Sequence, residues 1–484
     1  MRKKTLIYIP NGLNSPEFEI LLSATQKSID NKDDVNVLIC KGGKNFFCSK
    51  NIYSIKYLCN SCNQKKLIGL NKLKGKFKLS YLPDINKIEK KLKLNFAKAF
   101  NYKYKNVDNG LSAYSSYVDL TRDRDLDGFI MNYSMNGLIN TSNFLTDFFK
   151  KYLKKNYIQE VVCFNGRNNN YRPLVRVAKS FGIKVHNLEF NGDRNQTFDF
   201  EDNMPFDQKY IAKRINYFWK REKNKKIYLI NKFCKKWSTQ TLKHKDVFKV
   251  NQDPNLLPRK WDSRKKNIVF FCNSEDESLT GGKDYFFQVF KNQTEAIEYL
   301  YKLTKKDYKK LALWIRMHPR MTGLEWPFLK NLLALKNKYQ DLNLILPRSR
   351  ISSYKMIHNA DVILTPISTL SVESVYYKKP VINFQKNPFT ILNGAYIPKT
   401  RQQLRNLIFK KKLSPKSILA SKKFLLFYLD GGSLSKGLNG NINTGFFYKG
   451  LKIKFNLYGK FNYIIGKILE KFYTNFVNYY LYKL

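Results

Sequence analysis

Residues Ala360 to Phe384 read ADVILTPISTLSVESVYYKKPVINF, and their order decides the fold. The apolar run Val362-Ile363-Leu364 has the composition of a buried strand, and Pro366 ends it. Ser368 and Thr369 follow where a helix must begin. Hydroxyl side chains belong there, because a first helical turn leaves its N–H groups without partners. Glu373 lies about one turn further on. PVINF, from Pro380, then starts a second apolar strand. Strand, helix and strand in so short a stretch make a βαβ unit, which requires a parallel sheet.

The alternation extends in both directions. Toward the N-terminus of this half run NIVFFCNSEDE from Asn267, a helix near 293–304, LALWIRMHP from Leu311, a helix over 326–339, LNLILP from Leu342 and the helix SSYKMIHNA. The first half repeats the scheme with KTLIYIP (4–10), a helix over 15–29, DVNVLIC (34–40), a helix over 144–156, EVVCFNGR (160–167), a helix over 171–182 and KVHNLEF (184–190). The expected fold class is α/β: two doubly wound Rossmann-like domains facing a cleft, with a helical C-terminal extension. The expected bounds are 1–255, 256–400 and 401–484. The Lys-rich helical stretch over 205–260 is read as an insertion in the first domain. NQDPNLLPRKWDSRKK (251–266), with two prolines and a charge cluster, is read as the linker.

The chain has 484 residues with a formal charge of +51, from 88 Lys plus Arg against 37 Asp plus Glu. Hydrophobic residues at 43% exclude a disordered chain. So large a positive charge fits anionic substrates and an anionic membrane surface. It equally fits a Lys-, Asn- and Ile-rich composition bias. No window approaches a membrane-spanning length of apolar residues, and the N-terminus lacks a signal-peptide h-region. A cytoplasmic protein associated with the inner face of a membrane is expected. No helix-turn-helix, KH or RNP pattern points to specific nucleic-acid binding.

Doubly wound sheets bind ligands beyond the C-terminal ends of their strands, so the polar residues there are the site candidates. Arg316, His318 and Arg320 follow LALWI and suit a phosphate, since guanidinium and imidazole both donate to its oxygens. Ser368 and Thr369 at a helix N-terminus suit an anion, and Glu373 can pair with ribose hydroxyls. Each set also has a structural reading, as a loop or an N-cap. Glu275, Asp276 and Glu277 end another strand. In the first half, Asn165 and Arg167 are acceptor-binding candidates. Glu189 is a candidate general base, with Asp276, Glu275 and Glu17 as rivals.

His-Pro-Arg, followed some fifty residues later by Ala-Asp-Val, Ser-Thr, Glu373 and Lys-Pro-Val-Ile, resembles the nucleotide-binding half of GT-B glycosyltransferases. The pattern is most similar to the bacterial capsule and surface-polysaccharide group, which includes capsule-type Kdo transferases and bacterial sialyltransferases. The resemblance implies that His318 and Arg320 hold donor phosphate, with Ser368 and Thr369 at the nucleotide. FNGR and the Glu189 motif also resemble patterns of that group. Lys378-Lys379 departs from it, since a small residue is common before the Pro.

Cys40, Cys48, Cys59 and Cys62 form the pattern C-x7-C-x10-C-x2-C. Such a set can hold structural zinc or an iron–sulfur cluster; four reduced, unlinked thiols are the other reading. No cofactor is required for catalysis, because Arg and His would stand in for a cation. Residues 446–484 mix Lys with Phe and Tyr, as either a basic amphipathic surface for an anionic leaflet or a terminal helix packing on the first domain. The expected function is transfer of a sugar from a CMP- or UDP-linked donor to a surface glycan or lipid-linked acceptor. A nucleotide-sugar epimerase of the same fold and a non-catalytic basic binding protein are the alternatives.

Overall fold

The computed structural model describes residues 2–43, 45–85, 92, 94–122, 124, 129–191, 196–222, 226–238, 252–274, 278–321, 327–434, 437–441 and 445–481. The chain divides into two compact units. Unit 1 comprises Met1–Pro205 with Gly432–Leu484, and unit 2 comprises Phe206–Gly431.

Unit 1 is built on β1 (Lys4–Ile9), β2 (Asp34–Ile39), β3 (Lys78–Tyr81), β4 (Glu160–Phe164), β5 (Lys184–Asn191) and β6 (Gln196–Glu201). Its helices are α1 (Glu17–Asp30), α2 (Lys56–Leu70), α3 (Phe96–Asn101), α4 (Asn109–Thr121), α5 (Phe129–Lys155) and α6 (Arg172–Ser180). The order across the sheet is β3-β2-β1-β4-β5-β6. Strands β1 to β5 pair in parallel, with Ile7 opposite both Val37 and Val162. Strand β6 turns back antiparallel to β5, Glu189 facing Phe198. Leu6 to Ile9 are all buried, as strands with helices on both faces must be.

Unit 2 begins with α7 (Gln208–Arg221) and α8 (Ile227–Ser238). Its sheet has β7 (Lys266–Phe271), β8 (Leu311–Arg316), β9 (Asn343–Ile345), β10 (Val362–Thr365) and β11 (Val381–Asn383), all parallel, in the order β9-β8-β7-β10-β11. Between and after them come α9 (Gln293–Lys305), α10 (Pro327–Lys338), α11 (Ser353–Asn359), α12 (Thr369–Tyr376), α13 (Pro388–Ile391), α14 (Arg401–Phe409) and α15 (Ile418–Asp430). In both sheets the first strand of the unit lies between the second and the fourth. That is the Rossmann order, and it sets the switch point at β1/β4 in unit 1 and β7/β10 in unit 2.

The chain returns to unit 1 through β12 (Ser433–Leu434), which pairs antiparallel with β6. The hairpin of β13 (Leu438–Asn441) and β14 (Gly445–Tyr448) follows, and then α16 (Leu457–Leu481). Leu438 and Tyr448 enter the same core as Phe18 and Leu22 of α1. Helix α16 lies along α2, where the Tyr53 and Thr474 hydroxyls meet at 3.2 Å and Asn60 donates to Asn462 at 3.3 Å.

The two α/β units and the helical C-terminus accord with the sequence reading, but the bounds differ. The Lys-rich segment is part of unit 2, because its apolar face packs there. Phe218 meets Phe427 at 5.8 Å between ring centroids, and Tyr377 donates to the Cys234 carbonyl at 2.8 Å. The stretch read as a linker is held to unit 2 as well: the Ser353 N–H donates to Gln252 at 2.9 Å, and Trp261 stacks on Trp314 at 5.2 Å. Helices α14 and α15 also belong to unit 2, so the extension expected from residue 401 begins at 432.

Candidate functional site

In unit 2 the chain leaves β10 through Thr365-Pro366-Ile367 and enters α12 at Thr369. Ser368 is the N-cap: its Oγ accepts from the Leu370 N–H at 3.2 Å, and its backbone is extended. Ser368 is half-buried and Thr369 exposed. The Ser371 N–H donates to the Ser368 carbonyl at 3.1 Å, so Ser368 takes two N–H groups of the first turn of α12, and Thr369 places a second hydroxyl at this helix N-terminus. His318 is half-buried just beyond β8. Strand β7 separates β8 from β10. The loops that carry His318 and Ser368 therefore leave the sheet on either side of the β7 exit.

The exit of β7 supplies a residue that sequence reasoning passed over. The Asn273 side-chain amide donates to the Ile367 carbonyl at 2.8 Å, tying together the two loops that define the switch point. Gln293 braces it, donating to the Asn273 carbonyl at 3.0 Å and accepting from its N–H at 3.3 Å. Among the described residues, the side-chain oxygens of Asn273, Thr365, Asn383 and Gln385 are buried without a hydrogen-bond partner. The asparagine and glutamine amides are fixed: Asn383 donates to Ser371 at 3.0 Å and Gln385 to Ser278 at 2.9 Å.

Two candidates of this half do other work. Arg316 is 1% exposed, and its guanidinium donates to the carbonyls of Leu346 at 2.5 Å and Ser349 at 3.4 Å. Burial lowers its pKa to about 10. It stitches β8 to the loop after β9 and is turned inward, not toward a phosphate. Glu373 is 7% exposed and accepts from the Tyr354 hydroxyl of α11. Helix α12 carries it into the interior, so it does not reach back toward the hydroxyls of Ser368 and Thr369. Glu275, Asp276 and Glu277, and the side chain of Arg320, lie outside the described residues.

The switch point of unit 1 has the opposite character, because it holds carboxylates. After β4, Asn165 and Gly166 both take positive φ, +59° and +77°. A Cβ on Gly166 would meet Asn187 Oδ1 and Met204 Sδ at 2.8 Å, so a larger residue is strained there on both counts. This turn aims the Asn165 amide at Glu189, at the end of β5. Glu189 is half-buried and also accepts from the Phe190 N–H at 3.0 Å. Burial raises its pKa; the Phe190 N–H, Arg167 and Asn165 only partly offset this. Arg167 donates to Asp119 at 2.8 Å, with Lys50 3.5 Å from the same carboxylate. Burial opposes ionisation of Asp119, but Arg167, Lys50 and Arg122 together hold its pKa low. At the start of α1, Glu17 is 4% exposed and accepts from the Tyr171 hydroxyl at 2.5 Å and from Asn14 at 2.9 Å. Burial raises its pKa too. Both glutamates feel the charge of Asp119, so the three carboxylates share one neighbourhood with Arg167 and Lys50.

Sequence reasoning found Glu189, Glu17, Asn165 and Arg167 here and missed Asp119, Lys50 and Tyr171. It also missed Asn170, which is 1% exposed with both amide atoms unpartnered among the described residues. The one signal for it was the run Asn168-Asn169-Asn170 just past a strand end.

The four cysteines cluster near the exits of β1 and β2, but as thiols. Among the described residues no group of three or more His, Cys, Asp or Glu side chains is placed to hold a metal ion. The sulfurs are instead taken up by local donors: Gly42 N–H to Cys40 at 3.1 Å, Gly12 N–H to Cys62 at 3.1 Å and the Asn51 amide to Cys59 at 3.2 Å. Burial, and in smaller part the neighbouring cysteines, raises the pKa of Cys48 and Cys59, the latter to about 12, and burial raises that of Cys40. Among the described residues these side chains are thus not gathered into the ligand set expected for zinc or an iron–sulfur cluster.

No family model matches the chain, and no curated protein matches it. Solved structures with similar chains include a UDP-GlcNAc 2-epimerase from Methanocaldococcus jannaschii in complex with UDP-GlcNAc and UDP. It is 15% identical with a TM-score of 0.30, over 89% of this chain and 100% of that one. The UDP-GlcNAc 2-epimerase of Neisseria meningitidis is 12% identical with a TM-score of 0.26, over 89% and 99%. The β-Kdo 2,7 transferase of Thermosulfurimonas dismutans KpsC is 14% identical with a TM-score of 0.30, over 58% and 88%.

Proposed function

We propose that this chain is a glycosyltransferase that moves a sugar from a nucleotide-linked donor to a glycan or lipid-linked acceptor in surface-polysaccharide synthesis. The observation that carries this reading is the chemical contrast between the two switch points. In unit 2 the described groups are an imidazole and two hydroxyls at a helix N-terminus. Such groups take a diphosphate and its ribose, and they stabilise negative charge as it develops on a departing phosphate. In unit 1 the described groups include carboxylates whose proton affinity burial has raised. A carboxylate of raised pKa is suited to take the proton from an acceptor hydroxyl.

Of the two raised glutamates, Glu189 is the more exposed, and it is the base in this reading. Asn165 orients it, and Arg167 with Lys50 balances the charge of Asp119 beside it. Unit 2 takes the donor through His318, Ser368, Thr369 and Asn273; the nucleotide is UDP or CMP. No metal ion is needed to hold the phosphates in this scheme, because the helix N-terminus supplies positive potential and the imidazole an N–H donor.

Incubation of the full chain with UDP- and CMP-sugars, with and without glycan acceptors, tests the assignment. Release of nucleotide that depends on acceptor, and disappears in Glu189→Gln, is the expected result. A donor sugar whose configuration changes with no acceptor present would instead identify an epimerase. Absence of any donor turnover or nucleotide binding would leave a non-catalytic binding protein.

A further inference from the structure

Helix α16 is amphipathic in the inverted sense. Among its described side chains, those it buries are Gly459, Asn462, Gly466 and Glu470, small or polar and spaced along one face. The two glycines permit close approach to α2. A Cβ on Gly459 would meet Gln64 at 1.8 Å, and one on Gly466 would meet Leu58 at 2.6 Å. At about 100° per residue, the opposite face carries Leu457, Phe461, Ile464, Ile468 and Phe472. All five are exposed, from 49% for Ile464 to 89% for Leu457. A soluble helix that packs on its own protein ordinarily buries such a stripe. Here the stripe is turned out and runs four turns without interruption.

Charge indicates what covers it. Lys460, Lys467 and Lys471 lie along one edge of the stripe. The carboxylate of the helix's described part, Glu470, is 9% exposed and paired with Lys467. The outward surface of the helix therefore offers apolar side chains and lysines without exposed acid among the described residues. A second copy of the chain laid antiparallel on this face would bring lysine against lysine. No described helix is long and apolar enough to cross a membrane.

We infer that α16 docks the protein on an anionic lipid surface, lying in the interface with its apolar stripe among the acyl chains and its lysines at the headgroups. The helix lies on unit 1, the unit read above as taking the acceptor, so docking would bring lipid-linked acceptors to that unit. The docking itself does not depend on the catalytic reading.

Co-sedimentation of the full chain with vesicles tests it, with no nucleotide or sugar present. Vesicles of phosphatidylcholine with 30% phosphatidylglycerol (about that fraction, chosen for its surface charge) are compared with phosphatidylcholine alone. The expected result is binding to the anionic vesicles that weakens roughly tenfold or more without the anionic lipid. Phe461→Ser/Ile468→Ser/Phe472→Ser should weaken it at least a hundredfold while leaving the melting temperature in place, since these side chains are exposed. Lys460→Glu/Lys471→Glu, which leaves the stripe intact, should weaken it by about fivefold per lysine or more. Equal binding to both vesicle types, or binding unaffected by the serine variant, would overturn the inference. So would a dimer in sedimentation velocity that the serine variant abolishes with no vesicle binding by the parent.

Discussion

Ser368→Asp separates the two things Ser368 can do. The Ser368 Oγ caps α12 through the Leu370 N–H at 3.2 Å, and Asp caps as well as Ser. An acid at a helix N-terminus is also favoured by the dipole. The unliganded variant should therefore melt at or slightly above the parent temperature. A phosphate held beside the same hydroxyl would meet a like charge at about 4 Å, a cost of about 4 kcal/mol at an effective dielectric of about 20. That is roughly a thousandfold in Kd. Nucleotide at a hundred times Kd stabilises the parent by about 2.7 kcal/mol. For a unit of the size of Phe206–Gly431 this is roughly 5–10 °C in melting temperature. At the same nucleotide concentration Ser368→Asp should show a shift well under about 1 °C. Ser368→Ala, by comparison, should lose about 0.5–2 kcal/mol of capping in the unliganded state. Thermal scans with UDP, CMP and GDP read all three proteins. If Ser368→Asp melts normally and keeps the full nucleotide shift, the hydroxyl is a cap only, and the donor site proposed for unit 2 is refuted.

Further outcomes follow from unit 1. Glu189→Gln should lower turnover by roughly 10²–10⁴ and remove the acid limb of the pH–rate profile. In the parent that limb should lie above the ordinary carboxylate range, because burial raises the Glu189 pKa and the base works only when deprotonated. Glu17→Gln should change turnover less than about tenfold, since Glu17 is the more buried of the two. A group whose folded pKa is raised gives its stability below the unfolded pKa and loses it as pH rises through the folded value. Glu17→Gln should thus be no less stable than the parent at pH 8 in urea denaturation, and a clear loss would show the carboxylate to be structurally required. Asp108 accepts from Arg172 at 2.6 Å and Arg176 at 2.9 Å, and these cations hold its pKa low against the effect of burial. Its contribution is present at neutral pH and lost as pH falls through that lowered value. Asp108→Asn should cost roughly 3–5 kcal/mol at pH 7, with the gap narrowing on acidification. Gly110→Ala would place a Cβ 1.9 Å from the Ala99 carbonyl oxygen, and should destabilise unit 1 by at least about 1–3 kcal/mol in the same assay.

The alternation of buried strand and helix was legible in the sequence wherever an apolar run met a proline or hydroxyl stop. Residues 362–383 are the clearest case, and the observed Val362–Thr365, Thr369–Tyr376 and Val381–Asn383 follow that reading closely. Elements without a periodic apolar signal were not legible. Strand β12 has two residues, and β13 and β14 sit in a Gly- and Asn-rich stretch that reads as a break. Missing β12 hides the return of the chain to unit 1, and with it the true bounds of unit 2. At the site, periodicity indicates which residues reach a strand end but not what their polar atoms find there. Arg316 and Glu373 look like ligand-binding residues in the sequence, yet backbone carbonyls claim the first and Tyr354 the second. Asn273 looks like an ordinary loop residue, and only the fold brings it to Ile367. The cysteine spacing is compatible with a metal knuckle, but spacing cannot tell whether the sulfurs converge.

The return of the chain to unit 1 has a consequence during synthesis. Unit 1 needs its last segment: β12 to extend the sheet beyond β6, and α16 to lie over Leu58 of α2. Those residues leave the ribosome only after all of Phe206–Gly431 has been made. At typical elongation rates that delay is roughly 10–50 s. Throughout it the nascent first 205 residues carry an unpaired strand edge and an uncovered helix, while unit 2 can close as soon as its own chain is free. The later-made unit is thus the first able to mature, and a product terminated at residue 431 would keep the earlier one permanently open to chaperones and proteases.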